Sequence, residues 1–430
     1  MSYRNYENSF NQERWTLEEF RDWQDMCLMC GGCTGHGPMD PHNNIELAPY
    51  EWSGPERRCP SIEYYKQKAF GGQGRLLNAA AIWRDGAEIT DDFVNLMYTC
   101  SSCGVCNETC PLYQPMQVIL AAREEINAQG KAQPEPLPEL YNNVDEKHNL
   151  FGLEKRAKHV PDLPKTGKNL YFTGCYTSYL LPRIGYVNAE LLKRGGLDVC
   201  HMGEEEMCCG EIARQGGNTE LFRKIARENV EKVKSMGVER VICSCAHCYK
   251  TWAKEYPWVL QEELPFTVVH VMDVLKELID EGKLTPEIEV NKTVTYHDPC
   301  FLRGINAYVT RPEDVVSNKH EVARSVLAAI PGLELKEMDR HGRWSYCCGG
   351  GGKISRNCYP DFAAATGAER ITEAKEAADE VITACPVCYN QLRYAATEAN
   401  VDIEVGDISV LLAKSCGIDT EYNEVKGGDK

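Results

Sequence analysis

From residue 170 onward the apolar positions keep two alternating rhythms. Short, mostly aliphatic or aromatic runs at 170–173, 197–200, 238–242 and 266–271 alternate with stretches in which apolar residues recur every three or four positions. The first kind predicts strands and the second amphipathic helices. Over 219–236, Leu221, Phe222, Ile225, Val230, Val233 and Met236 share one helical face, and Gly237 follows as a stop. Further helices are expected over 183–194 and near 274–279. The order then returns, with strands at 293–296, 333–336, 381–383 and 401–405 and a closing helix that begins near Asp407. Alternating strand and helix predicts parallel sheets covered by helices.

The two halves of this region also match locally. Gly196-Leu197-Asp198-Val199 sits against Gly332-Leu333-Glu334-Leu335, and the run from Val241 to Tyr249 against the run from Val381 to Tyr389. The chain thus carries an internal repeat. Upstream the pattern is helical: Thr90 can cap a helix whose Phe93, Leu96 and Met97 recur just before Cys100. Between the two regions, residues 131–169 are rich in proline, lysine and polar residues and read as a linker with one short helix. The expected fold is α+β and multidomain: a helical domain at 1–130, the linker at 131–169, and two repeated α/β parallel-sheet domains at 170–285 and 290–430.

Composition narrows the class. With 43% hydrophobic and 26% charged residues, the 430-residue chain is that of a globular protein. A net charge of −17 sets it against nucleic acid or an anionic membrane as main partner. No apolar run is long enough to span a bilayer, and the opening MSYRNYENSFNQERW is too polar for a signal peptide, so a cytoplasmic protein is expected. In that compartment 22 cysteines point to metal ligation rather than disulfides. Such thiol content suits an anaerobic setting.

The cysteines fall into two kinds of motif. Cys100-x2-Cys103-x2-Cys106-x3-Cys110-Pro111 has the spacing of bacterial-type [4Fe-4S] ferredoxins, in which the fourth cysteine serves the other cluster. Cys27-x2-Cys30-x2-Cys33 begins a second such motif, but its Cys59-Pro60 arrives only after a long gap. By cross-ligation, Cys27, Cys30, Cys33 and Cys110 would hold one cubane, and Cys100, Cys103, Cys106 and Cys59 the other, which makes 1–130 a helical ferredoxin domain. In each repeat a lone cysteine follows the first strand (Cys175, Cys300). A Cys-Cys-Gly lies after the second (Cys208-Cys209, Cys347-Cys348), and a C-x2-C follows the third (Cys245 and Cys248, Cys385 and Cys388). Strand ends of a parallel sheet share one edge, so each set of five thiols should converge there. The glycines after each pair would let backbone N–H groups approach the sulfurs.

The two Cys-Cys-Gly units, the HDPC that ends at Cys300 and the paired ferredoxin motifs resemble the D-type subunit of heterodisulfide reductase and its relatives in glycolate and lactate oxidases and sulfite-reduction complexes. The resemblance runs from about residue 20 to 416. It implies that each complete Cys-Cys-Gly domain holds a non-cubane [4Fe-4S] cluster. One would use Cys175, Cys208, Cys209, Cys245 and Cys248, the other Cys300, Cys347, Cys348, Cys385 and Cys388, and together these cluster-bound cysteines would be catalytic. The function so implied is reduction of a low-molecular-weight (hetero)disulfide at those two clusters, each accepting one sulfur of the cleaved bond. Two cubane clusters would relay electrons from a redox partner subunit, a flavoprotein or a membrane cytochrome b type. No flavin or NAD site appears in this chain, and attachment to the inner face of a membrane would come through the partner.

Other readings stand beside this one. A protein of this build can be an electron-transfer subunit without its own substrate, linking a flavoprotein dehydrogenase or a membrane cytochrome or quinone to another carrier. Four thiols of either set could hold zinc, although the fifth thiol and the adjacent pair argue against it. Cys200, Cys243 and Cys416 read as small apolar residues of strands and a helix, and Cys358 has no assignment. His247 and His297 lie close enough to the motifs to support ligands, or are simply packed. Arg214, Lys250, Arg303, Lys353 and Arg393 could meet an anionic substrate, but read more simply as surface charges. The four-glycine run lacks the lysine-serine or lysine-threonine of a phosphate loop, and no dinucleotide fingerprint is present.

Overall fold

The computed structural model describes Cys27, Cys33 and residues 59–109, 114–154, 163–303 and 319–422. Cys30 and Cys110 lie outside the described residues. Two four-stranded parallel sheets form the body. In the first, β1 (Asn169–Phe172), β2 (Val199–Cys200), β3 (Arg240–Cys243) and β4 (Thr267–His270) run in the order β2-β1-β3-β4. In the second, β5 (Lys292–His297), β6 (Leu333–Leu335), β7 (Glu380–Thr383) and β8 (Glu404–Asp407) repeat it as β6-β5-β7-β8. Phe172 is in register with Cys243, and His297 with Thr383. The central strands are apolar without alternation because helices cover both faces: Leu170, Tyr171, Phe172, Val241, Ile242 and Cys243 are all fully buried.

The helix Thr219–Met236 forms over the expected span. Asn218 caps it by accepting from Leu221 N at 3.1 Å, and Gly237 ends it in the left-handed region at φ 68°. Two strands differ from expectation. The segment 197–200 contributes only Val199–Cys200 to the sheet, because Leu197 N donates to Leu192 O and finishes the preceding helix Pro182–Arg194. The strand expected at 401–405 begins at Glu404, opposite Glu380. Val401 and Ile403 pack on the core from the loop before it, so their alternation reflects burial rather than strand pairing. The helix that begins at Ala246 continues through a π-helical stretch, Thr251–Glu255, into Tyr256–Leu260.

The described part upstream is helical: Pro60–Tyr65, Gly72–Asp85, Asp91–Tyr98, Val105–Thr109 and Pro115–Ala128. Thr90 caps Asp91–Tyr98 as expected, accepting from Phe93 N at 3.3 Å. One fully buried side chain, Arg123, fastens this part to the first sheet unit. Its guanidinium donates to Met97 O, Cys100 O and the Ser102 hydroxyl on one side and to Gln215 O at 2.9 Å on the other. The segment read as a linker does carry one helix, Leu137–Glu146, and its Leu137, Leu140, Tyr141 and Val144 are buried in the common core. Among the described residues no helix is long and apolar enough to cross a membrane.

Asp407 caps the last helix, Ile408–Ser415, accepting from Ser409 N at 2.9 Å. Burial pushes its carboxyl up to about 6, against the lowering effect of its Ser409 hydrogen bonds. For an acid whose folded value is raised, the penalty is complete above that value and is relieved as pH falls toward about 4, the unfolded value. Asp407→Asn keeps the cap acceptor and removes the penalty. It should stabilise the protein by about 1–3 kcal/mol in urea denaturation at pH 7.5 and by nothing measurable near pH 4.

Candidate metal centre

The strand order places a switch point between β1 and β3, and another between β5 and β7. Connections there depart in opposite directions and leave a crevice at the carboxyl ends of the strands. The lone cysteine of each unit opens a short helix directly after the first of these strands: Cys175 in Gly174–Tyr179 and Cys300 in Cys300–Arg303. The C-x2-C motifs start the helices after the second, Ala246–Lys250 and Pro386–Glu398. The Cys-Cys pairs come in from the loops beyond β2 and β6. Nine of these ten cysteines are buried and Cys300 is half-buried.

The ten thiols lie next to one another in one unbroken series, beginning with Cys175 Sγ 3.8 Å from Cys208 Sγ. It runs Cys175, Cys208, Cys209, Cys248, Cys245, then Cys385, Cys388, Cys348, Cys347, Cys300. The series reads the same from either end: lone cysteine, pair, C-x2-C, and back again. Its midpoint is the contact between Cys245 of the first unit and Cys385 of the second. Helix packing has the same reciprocity, since the C-x2-C helix of each unit lies on the lone-cysteine helix of the other. The His247 ring lies tilted against Phe301 with centroids 4.2 Å apart, and Lys250 Nζ lies 4.5 Å from the centroid of the same ring.

Each group is held by groups around it. In the first unit, Cys208 N donates to His148 O, the Asn229 amide donates to Cys208 O at 3.0 Å, and Tyr256 Oη donates to Cys209 O at 2.9 Å. Glu206 fixes the turn before Cys175 by accepting from Thr173 N and Gly174 N at 3.0 and 2.8 Å. In the second unit Asp298, of the HDPC run, accepts a bidentate pair from Arg324 and a further bond from Gly342 N at 2.7 Å. Backbone N–H groups point at sulfur as expected: Gly210 at Cys208, Gly349 at Cys347 and Gly350 at Cys348, each at 3.4 Å. His297 accepts on Nδ1 from Arg370 at 3.0 Å, which leaves the ring proton on Nε2, and one ring nitrogen lies within 4.8 Å of the sulfurs of Cys348 and Cys388.

Of the five cations read as surface charges, three are buried. Arg214 and Lys250 both pair with Glu255, at 2.7 and 3.2 Å, and Lys353 pairs with Glu211 at 3.2 Å. The π stretch explains the first two, because it turns Glu255 inward. Burial works against the charge of Lys353, but Glu211 and the thiolates of Cys209 and Cys175 outweigh it and hold the ammonium well above the ordinary lysine value. Arg393 is exposed, and the side chain of Arg303 lies outside the described residues. Cys200 and Cys243 are buried strand residues, Cys416 follows the last helix half-buried, and Cys358 places its Sγ 3.7 Å from Pro134 O.

Upstream, Cys59, Cys100, Cys103 and Cys106 are buried together, with Cys33 beside them and Cys27 half-buried. Burial, and then the charges of Cys100, Cys103, Cys33 and Cys59, push the Cys106 thiol well above its ordinary value. The long gap before Cys59 therefore does not keep it from the Cys100 run. That run in turn touches the second sheet unit: Cys103 and Val105 pack with Cys347, and Cys300 lies against them. A clustered set of soft sulfur donors, out of water and met by N–H groups, is the donor chemistry that iron–sulfur clusters use, so these residues fit such a group.

The fold and the thiol groups define a protein with two cysteine-rich units, and the family described as "Cysteine-rich domain" matches residues 169–251 and 294–393. The chain is 30% identical to the D-type subunit of the dihydromethanophenazine:CoB--CoM heterodisulfide reductase of Methanosarcina acetivorans, covering 92% of this chain and 95% of that one. It belongs to the family of heterodisulfide reductase D-type subunits. It is also similar to the EtfAB:quinone oxidoreductase of Syntrophomonas wolfei, at 26% identity over 93% of this chain and 60% of that one. A subunit of the fumarate reductase (CoM/CoB) of Methanothermobacter marburgensis is 25% identical over 92% of this chain and 73% of its own.

Gly174, at φ 74°, makes the first group possible, because a Cβ there would stand 2.8 Å from Cys248 Sγ. Gly196 has nearly the same φ, 73°, but open space around it. Gly196→Ala should cost only the left-handed strain, about 1 kcal/mol. Gly174→Ala adds the clash and should cost about 2–4 kcal/mol in anaerobic urea denaturation.

Proposed function

We propose that this chain is the iron–sulfur subunit of an oxidoreductase complex and reduces a low-molecular-weight disulfide at its two five-cysteine groups. The observation that carries this reading is the continuous, palindromic series of ten thiols with Cys245 and Cys385 at its centre. Cleaving a disulfide takes two electrons and two protons and yields two thiols. Two redox groups side by side are the arrangement that lets one-electron carriers serve it.

On this reading Cys175, Cys208, Cys209, Cys245 and Cys248 hold one non-cubane [4Fe-4S] cluster and Cys300, Cys347, Cys348, Cys385 and Cys388 the other. When bound, the clusters would supply one electron each and a soft site for one sulfur of the cleaved bond. The chain's own residues then have distinct tasks. The glycine N–H groups and the His297–Arg370 pair stabilise thiolate charge, and the helices around Phe301 keep the two groups adjacent. Cys59, Cys100, Cys103 and Cys106 would hold a cubane, and Cys27, Cys30, Cys33 and Cys110 a second, in a ferredoxin-like domain. The nearness of Cys33 to Cys106, of Cys103 to Cys347 and of Cys385 to Cys245 supports one linear order, with electrons from a partner subunit entering the pair at the second unit. The chain would work in the cytoplasm or at the membrane's inner face through that partner.

The similarity to an EtfAB:quinone oxidoreductase supports a second reading, an electron-transfer subunit with no substrate of its own. Anaerobically purified protein should contain about sixteen irons per chain, four for each cluster, and consume a heterodisulfide with reduced viologen as donor. Full iron content without disulfide turnover would leave the electron-transfer reading standing in place of ours. Zinc in place of iron in the sheet units would overturn both.

A further inference from the structure

Glu211 and Lys353 both follow the glycine turn after a Cys-Cys pair, two residues after Cys209 and five after Cys348. Each follows a left-handed glycine, Gly210 at φ 73° or Gly352 at φ 59°, and each precedes a fully buried isoleucine, Ile212 or Ile354. Local sequence agrees, with Gly210-Glu211-Ile212-Ala213-Arg214 against Gly352-Lys353-Ile354-Ser355-Arg356. Yet the two side chains differ in charge and meet each other, Lys353 Nζ to Glu211 Oε2 at 3.2 Å with both almost wholly out of water. His247 Nδ1 stands 3.5 Å from the other oxygen of Glu211. The helix Glu211–Gly216 packs on the glycine loop that presents Lys353, and a Cβ on Gly352 would stand 3.2 Å from Gln215, so the lysine is brought into the neighbouring unit by close backbone approach.

What Lys353 reaches there is the first-unit thiol group: its partner Glu211 stands two residues after Cys209, so the 3.2 Å ion pair sets the ammonium beside the first-unit cysteines although its own unit carries the other five. In the interior such a charge is little screened by water or salt. A fixed cation beside a redox group favours the reduced, more negative form.

We propose that Lys353 is a positioning residue that raises the reduction potential of the first-unit centre from across the interface between the units, with Glu211 as the counter-charge that moderates it. This rests on the reading that the first unit binds a redox cluster. Raised at the far end of the series, the potential draws electrons past the second unit and makes the first the place where they collect.

The test is an EPR-monitored redox titration of the anaerobically purified full chain. The first-unit signal is identified as the one lost in Cys175→Ala. Lys353→Met should shift its reduced-to-oxidised ratio at fixed ambient potential at least about tenfold toward oxidised, equal to 59 mV for one electron. Lys353→Arg should stay near wild type, and Glu211→Gln should shift the ratio the opposite way. Iron content is read on the same samples. Absence of any first-unit signal or iron in the wild type defeats the cluster reading itself. A loaded Lys353→Met protein with unchanged potential overturns the role of Lys353 alone. If Lys353→Met does not load, Glu211→Gln decides: a shift toward reduced supports the proposal, and no shift, or one toward oxidised, overturns it.

Discussion

Everything in this molecule depends on keeping ten thiols together, nine of them out of water, without disulfides. A buried thiol resists ionisation unless something offsets the loss of hydration, and here the offsets are built in: N–H groups of the glycine turns, an imidazole held by Arg370, and buried cations. The parallel sheet solves the placement. A β2-β1-β3-β4 order gives each unit one crevice at its switch point, and turns held by Glu206 and Asp298 deliver the lone cysteines into it. Packing the two units with their C-x2-C and lone-cysteine helices exchanged turns two crevices into one centre.

The same logic ties the helical part to the sheets. Arg123 bonds the carbonyls of Met97 and Cys100 and, on its other side, that of Gln215, in the helix that follows the first Cys-Cys pair. The turn bearing Cys103, which packs on Cys347 of the second unit, is thereby tied to the first unit as well. A change at Arg123 would therefore act on two thiol groups at once, although its hydrogen bonds go to carbonyls and a hydroxyl.

Much of this was legible in the sequence. The strand and helix rhythm, the repeat and the cysteine spacing pointed to the two sheets and the convergence of thiols within each unit, because periodicity and strand order depend on local chemistry. What was not legible depends on how the units meet. Nothing in the spacing says that Cys245 lies against Cys385, and Lys250, Arg214 and Lys353 look like surface charges until Glu255 and Glu211 are seen turned inward. Glu206, Arg324 and Arg370 lie far in sequence from the cysteines they support. One local signal existed for Lys353, a lone charge directly after four glycines in an otherwise apolar and cysteine-rich stretch.

The opposed charges of Glu211 and Lys353 bear on how such a chain can be assembled. Two copies of the first unit, paired in this way, would bury two carboxylates face to face, and two copies of the second would bury two ammonium groups. Each unit is thus unfit to pair with itself and suited to the other. The repeat has become a matched pair of unlike halves, and carrying both on one chain guarantees that every molecule contains one of each.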